Sequence, residues 1–231
     1  MWDTITKTFI GPHSLSLKIY KKSLKKISNL KMVLKNAIAL TGGIGTGKST
    51  TIKLLESQGY QILDADKIAH QLLQEHRLEI AQHFGSSILE KDILNRKKLG
   101  TIVFKDSNEL KWLENFLHPL IRECMLKKAH ELEKNHQAYF LDIPLFFEVG
   151  GKERYPVSKV VLIYAPRALQ IERLLERDKL KETEILQRLN CQMDIEQKRL
   201  MSDYVIDNSF SLKDLDKQVE CFLKNLGFVS N

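Results

Sequence analysis

Gly42-Gly43-Ile44-Gly45-Thr46-Gly47-Lys48-Ser49, with Thr50 behind it, has the spacing G-x-x-x-x-G-K-[ST]. That spacing suits a loop that cradles phosphates. A loop wrapped around a triphosphate turns its backbone N–H groups inward, and glycines permit the close approach and positive φ this requires. Lys48 is then placed to reach the β- and γ-phosphates, and the Ser49 hydroxyl to bind Mg²⁺. A helix starting at Lys48 adds its unpaired N–H groups and positive dipole end to the anion site.

Carboxylates and arginines elsewhere in the chain could complete such a site. Asp64-Ala65-Asp66 follows the short run Tyr60-Gln61-Ile62-Leu63. Asp66 has two readings: N-cap of the helix that follows, or base for an acceptor hydroxyl. Spacing leaves both open. Asp142 closes another apolar run, where P-loop proteins hold Mg²⁺ with a Walker-B acid. Arg167, Arg173, Arg177 and Arg188 share a charged helical stretch with Glu172 and Glu176. They read either as a solvated face with i,i+4 pairs or as a lid closing over phosphates. Arg96 and His118-Pro119 stand out in an otherwise helical region. His118 is either a hydrogen-bonded structural residue or a catalyst.

The elements that must position these residues follow from periodicity. Asn36-Ala37-Ile38-Ala39-Leu40 reads as a buried parallel strand, and residues 48–58 as a helix stopped at Gly59. Further strands are expected at 60–63, 139–143, 160–164 and 204–208, with a last amphipathic helix over 212–226. Residues 77–136 carry a mostly helical pattern, too long for an ordinary crossover, and read as an inserted helical subdomain over a second substrate. The fold class is therefore α/β, a parallel sheet flanked by helices, with functional side chains gathered at the carboxyl ends of its strands.

With 231 residues and 43% hydrophobic content, the chain suits one α/β domain with insertions. Its net charge of +7 resides in residues 1–35, which hold eight lysines and one acid, leaving 28 basic and 28 acidic residues elsewhere. A neutral globular part offers nothing for a nucleic-acid backbone. No apolar run approaches the roughly 20 residues of a membrane span. Cys124, Cys191 and Cys221 are odd in number and lack a C-x-x-C, which points to reduced, buried thiols and a cytosolic setting. Residues 1–31 form a basic extension with Leu17, Tyr20, Leu24 and Ile27 at helical intervals. It lacks the apolar core of a secretory signal and the arginines of a transit peptide, and is expected to be dispensable and disordered.

The ordered series of motifs resembles the dephospho-CoA kinase family over about residues 33–226. The residues carrying the likeness are the loop 40–49, Asp64-Ala65-Asp66-Lys67-Ile68-Ala69-His70 and Leu94-Asn95-Arg96 with Val103-Phe104. They continue through Leu117-His118-Pro119-Leu120-Ile121 and Asp142-Ile143-Pro144-Leu145-Phe146-Phe147-Glu148. Arg173 and Arg177 ahead of Asp178, and Val205-Ile206-Asp207-Asn208, complete it. The resemblance implies ATP-dependent phosphorylation of the ribose 3′-hydroxyl of dephospho-CoA, on a nucleoside-monophosphate-kinase-like fold. It makes Asp66 the base and Gly43, Ile44, Gly45, Thr46, Gly47, Lys48, Ser49 and Thr50 the ATP loop, joined by Asn208. Arg173 and Arg177 become lid contacts. His70, Arg96, His118 and Pro119 fall with Asp66 on the acceptor side, and Ser49 and Asp142 on Mg²⁺. The organisation implied is a single domain over 32–231, with core segments 32–66, 137–166 and 202–231, a CoA-binding insertion 67–136 and a lid 167–201. No obligate protein partner follows from it.

Two rival functions meet obstacles in the residues. A kinase for a nucleotide or another alcohol would not account for the insertion with Leu117-His118-Pro119. A GTPase-like switch would carry N/T-K-x-D after a late strand, whereas Asp207-Asn208-Ser209 stands there and the tetrapeptide occurs nowhere.

Overall fold

The structure, a computed structural model, describes residues 33–178 and 181–226, so the expected N-terminal extension lies outside the described residues. Its centre is β1 (Leu34–Gly42), hydrogen-bonded on both sides and buried from Ala37 to Gly42. Alternation along this strand divides the core. Ala37 and Ala39 join one apolar cluster with Leu117, Met125 and Ala129, while Ile38 and Leu40 face Leu55, Phe222 and Leu223. Small side chains on the first face let a long helix approach the sheet closely.

After the loop come α1 (Lys48–Ser57), β2 (Gln61–Asp64), α2 (Ala65–Glu75) and α3 (Arg77–Phe84). A two-stranded hairpin, β3 (Leu89–Glu90) with β4 (Ile93–Leu94), interrupts the expected helical stretch. Lys91 and Asp92 at its tip both have positive φ, as a tight two-residue hairpin turn demands. Then follow α4 (Arg96–Val103) and the 27-residue α5 (Ser107–Glu133), which runs straight through Pro119. The missing N–H of Pro119 removes the helix donor for the Asn115 carbonyl. Tertiary packing carries the helix across that gap, since Leu117 and Met125 on either side are both buried.

The rest of the chain supplies β5 (Tyr139–Asp142), a short α6 (Gly151–Arg154) and β6 (Val157–Tyr164). It ends with α7 (Arg167–Asp178), α8 (Glu182–Asn190), α9 (Ile195–Met201), β7 (Tyr204–Asp207) and α10 (Leu212–Asn225). The charged stretch expected as one helix is thus two, α7 and α8. The five-stranded sheet has the order β2-β5-β1-β6-β7, with every pair parallel. Among the described residues, no helix is long and apolar enough to cross a membrane.

The expectation of buried cysteines needs correction. Cys191 and Cys221 are exposed, and only Cys124 is partly buried; all three are free thiols. Cys191 caps α8, and Cys221 sits on the solvent side of α10, whose buried residues are Leu215, Val219, Phe222 and Leu223. Of the two readings left open for Asp66, N-cap and base, the first is excluded. Asp64 is the cap, its carboxylate accepting the Lys67 N–H at 2.9 Å, and Asp66 lies in the first turn. The backbone is still extended at Asp64 (φ −93°, ψ 115°), the conformation a cap residue adopts.

Candidate active site

The parallel sheet brings the ends of its strands to one edge, and the candidate residues collect there. Gly42 ends β1 and Asp142 ends β5, while Asp64 ends β2 directly in register with Asp142. Tyr164 and Asp207 pair across the ends of β6 and β7, with Asn208 just beyond.

The loop between β1 and α1 is held by its own hydroxyl and by the far side of the sheet. Thr46 Oγ1 donates to the Gly43 carbonyl at 2.8 Å, and Asn208 Nδ2 donates to the Thr46 carbonyl at 2.9 Å. Gly47 has φ +87°, and a Cβ there would lie 2.0 Å from Asn208 Nδ2. Glycine at this position is thus demanded by backbone conformation and by the close approach of Asn208. Arg173 on α7 donates from Nη2 to the Asn208 carbonyl at 2.7 Å and from Nη1 to the Gly45 carbonyl at 3.4 Å. Arg177, one turn further on, makes two hydrogen bonds to Asp178, at 2.7 and 3.0 Å.

Lys48 Nζ donates to Asp142 Oδ1 at 2.6 Å. Asp142 is only 4% exposed. Burial pushes its carboxyl above the usual range, with Lys48 opposing that rise and the Asp64 charge adding to it. The lysine that should meet phosphates therefore rests on the acid that should meet the metal.

A second group of residues lines a cavity next to this edge. Asp66, His70, His118, Arg122, Arg154 and Tyr155 supply its polar atoms, over an apolar wall that includes Leu117 and Ile121. Pro144, two residues past Asp142, also lines it, so the cavity adjoins the phosphate-loop side of the sheet. His70 is depressed below the ordinary imidazole range, by burial first and the nearby Arg96 charge second, against an opposing pull from Asp64. Arg96 itself opens α4 and lies outside the cavity lining, as does Pro119 within α5. Sequence reasoning did not single out Arg122, Arg154 or Tyr155. They belong to α5 and to the end of α6, where Tyr155 is the C-cap, and no local pattern shows that these meet, although Arg122 Nε donates to the Arg154 carbonyl at 2.9 Å.

His118 has its Nε2 buried with no hydrogen-bond partner among the described residues. Burial, reinforced by the Arg154 charge, lowers its pKa from 6.5 to about 4. Between those values the unfolded chain takes up a proton that the folded chain refuses, so stability falls as pH drops through this window. The loss attributable to His118 is roughly 3 kcal/mol. His118→Gln is expected to flatten the melting-temperature profile between pH 7 and pH 4. An unchanged slope would show that His118 is not buried in its neutral form.

A parallel-sheet core, a glycine loop at a helix N-terminus and an adjoining cavity lined by a carboxylate fit one class: a P-loop kinase for a small molecule. Comparison with known proteins narrows it. The profile of the dephospho-CoA kinase family matches residues 36–214. A curated dephospho-CoA kinase from Helicobacter pylori is 89% identical over 195 residues, which span 84% of this chain and all of the relative. One from Helicobacter hepaticus is 45% identical, over 84% of this chain and 94% of the relative. The solved dephospho-CoA kinase from Campylobacter jejuni is 39% identical and superposes with a TM-score of 0.69, covering 83% of this chain and 97% of the other. This chain belongs to the dephospho-CoA kinase family. The family's reaction, ATP-dependent phosphorylation of dephospho-CoA, is the last step of coenzyme A biosynthesis.

Proposed function

We propose that Asp66 is the base that takes the proton of the ribose 3′-hydroxyl, and that the cavity it lines holds dephospho-CoA. The observation that carries this is the shared cavity: Asp66 opens into a space bounded by the insertion (Leu117, His118) and by Pro144 at the strand edge. An acceptor seated there would present its hydroxyl between the carboxylate and the ATP loop, and phosphoryl transfer asks mainly for such positioning. Lys48, Arg173 and Arg177 would stabilise the charge developing on the transferred group. Residues 43–50 and Asn208 would hold ATP. His70 and His118 would face the acceptor from the cavity wall, whereas Arg96 and Pro119, expected to bind the acceptor too, lie outside that lining.

Ser49 and Asp142 form an oxygen-only donor set that fits Mg²⁺, an ion that commonly takes one or two carboxylates and completes its shell with phosphates and water. Bound there, it would neutralise charge between the β- and γ-phosphates. For Lys48 to reach the phosphates it must leave Asp142, which would free Oδ1 of that carboxylate as well for the ion. Residues 167–201 would act as the lid and 67–136 as the acceptor-binding insertion, in a cytoplasmic enzyme without nucleic-acid, membrane or obligate protein partners.

Ala69→Phe tests the cavity, because Ala69 lines it from α2. Its KM for dephospho-CoA is expected to rise about tenfold or more while KM for ATP stays put. A change confined to ATP would place the acceptor elsewhere. Deleting residues 1–31 is expected to leave kcat and melting temperature near those of the full chain, because 195 residues of this chain match the entire Helicobacter pylori relative. A large fall in either would show that the extension packs on the domain.

A further inference from the structure

Lys198 on α9 is completely buried, an unusual state for a lysine. Its ammonium donates to Glu148 Oε1 at 2.9 Å and to the carbonyl of Gly42, where β1 gives way to the phosphate loop, at 3.3 Å. The same Glu148 oxygen accepts the Met193 N–H at 3.0 Å. Next to Met193, the Gln192 side-chain carbonyl accepts the Ile44 N–H at 3.0 Å. The loop is thus held at two backbone points, Gly42 by Lys198 of α9 and Ile44 by Gln192 in the segment between α8 and α9. Burial depresses the Lys198 pKa, and the Glu148 charge opposes that shift.

The two charges by themselves are a weak source of stability. A buried ion pair is often replaceable by apolar side chains of similar volume at no loss of stability. An apolar pair could not donate to the Gly42 carbonyl or accept the Met193 N–H. We propose that Glu148 and Lys198 are positioning residues that brace the phosphate loop from behind and fix where its front face meets ATP. They also tie the loop to the chain leaving the lid helices, so lid and loop share an anchor. The inference rests on the reading of residues 43–50 as the ATP site.

Lys198→Met alone would strand a buried carboxylate, so the informative variant is the double substitution Glu148→Gln/Lys198→Met. It removes both charges and keeps an amide oxygen for the Met193 N–H. Equilibrium binding of a fluorescent ATP analogue and both KM values would be measured, with thermal melting alongside. The expected result is a melting temperature near wild type and about tenfold weaker ATP binding, with KM for dephospho-CoA unchanged. Wild-type ATP affinity in the double variant would make the pair merely structural and overturn the proposal. A variant that fails to fold, or equal rises in both KM values, would overturn it too. Lys48→Ala serves as the control: if it binds the analogue at wild-type strength, the ATP-site reading itself has failed, independently of the brace.

Discussion

Lys48→Ala is expected to lower kcat by about 10²–10³-fold or more, since in the proposed site its ammonium would offset charge that develops on the phosphates in the transition state. The structure adds a second consequence. Lys48 is the partner of Asp142, and its removal leaves a nearly buried carboxylate without its cation. That loss costs about 1–3 kcal/mol of stability. Desolvation already raises the Asp142 pKa, so in the variant the acid should take up a proton, and the stability deficit should shrink as pH falls. Adding Asp142→Asn to Lys48→Ala should recover melting temperature without recovering turnover. If the double variant melts as low as the single one, the ion pair is not the source of the loss. Near-normal kcat in either variant would remove Lys48 from the reaction.

Asp66→Asn carries the other large effect. Asp64 is the helix cap, so the substitution at Asp66 leaves the cap hydrogen bond to Lys67 intact. Melting temperature should barely move, while loss of a general base lowers kcat by about 10²–10⁴-fold. A loose transition state needs little early proton removal, which favours the lower end of that range. Asp64→Asn retains capping ability and is the matched control. A larger rate loss at Asp64 than at Asp66 would transfer the base to the neighbouring carboxylate, which is in register with Asp142.

What the sequence made legible follows from the range of each signal. The phosphate loop is a local pattern, and β1, β5 and β6 are apolar runs whose burial matches their composition, while the edge strands β2 and β7 are only partly buried. Helix α5 was readable through its periodicity despite Pro119. The hairpin β3–β4 was not, because two-residue strands carry no period. Asp64 and Asp66 flank Ala65, two positions apart, so either could cap. The choice is made where the chain leaves β2, through pairing with β5 that no local spacing encodes. Lys198 lies in Ile-Glu-Gln-Lys-Arg-Leu-Met and looks like any solvated lysine of a charged helix. It is buried because α9 packs beneath the loop, with Ile195 against Leu162 and Tyr164 of β6. The cavity was only half legible for the same reason: Asp66 and His118 sit in recognisable motifs, whereas Arg122, Arg154 and Tyr155 meet them through tertiary folding alone.

The central claim is that one edge of the sheet joins an ATP loop to an acceptor cavity built for dephospho-CoA. The most direct measurement is a coupled ADP-release assay with ATP and dephospho-CoA, each omitted in turn, and with nucleoside monophosphates offered as alternative acceptors. ADP should appear only when both ATP and dephospho-CoA are present, with a stoichiometric product carrying the new phosphate on the ribose 3′-oxygen. ADP release without an acceptor, or faster turnover with a nucleoside monophosphate, would contradict the account.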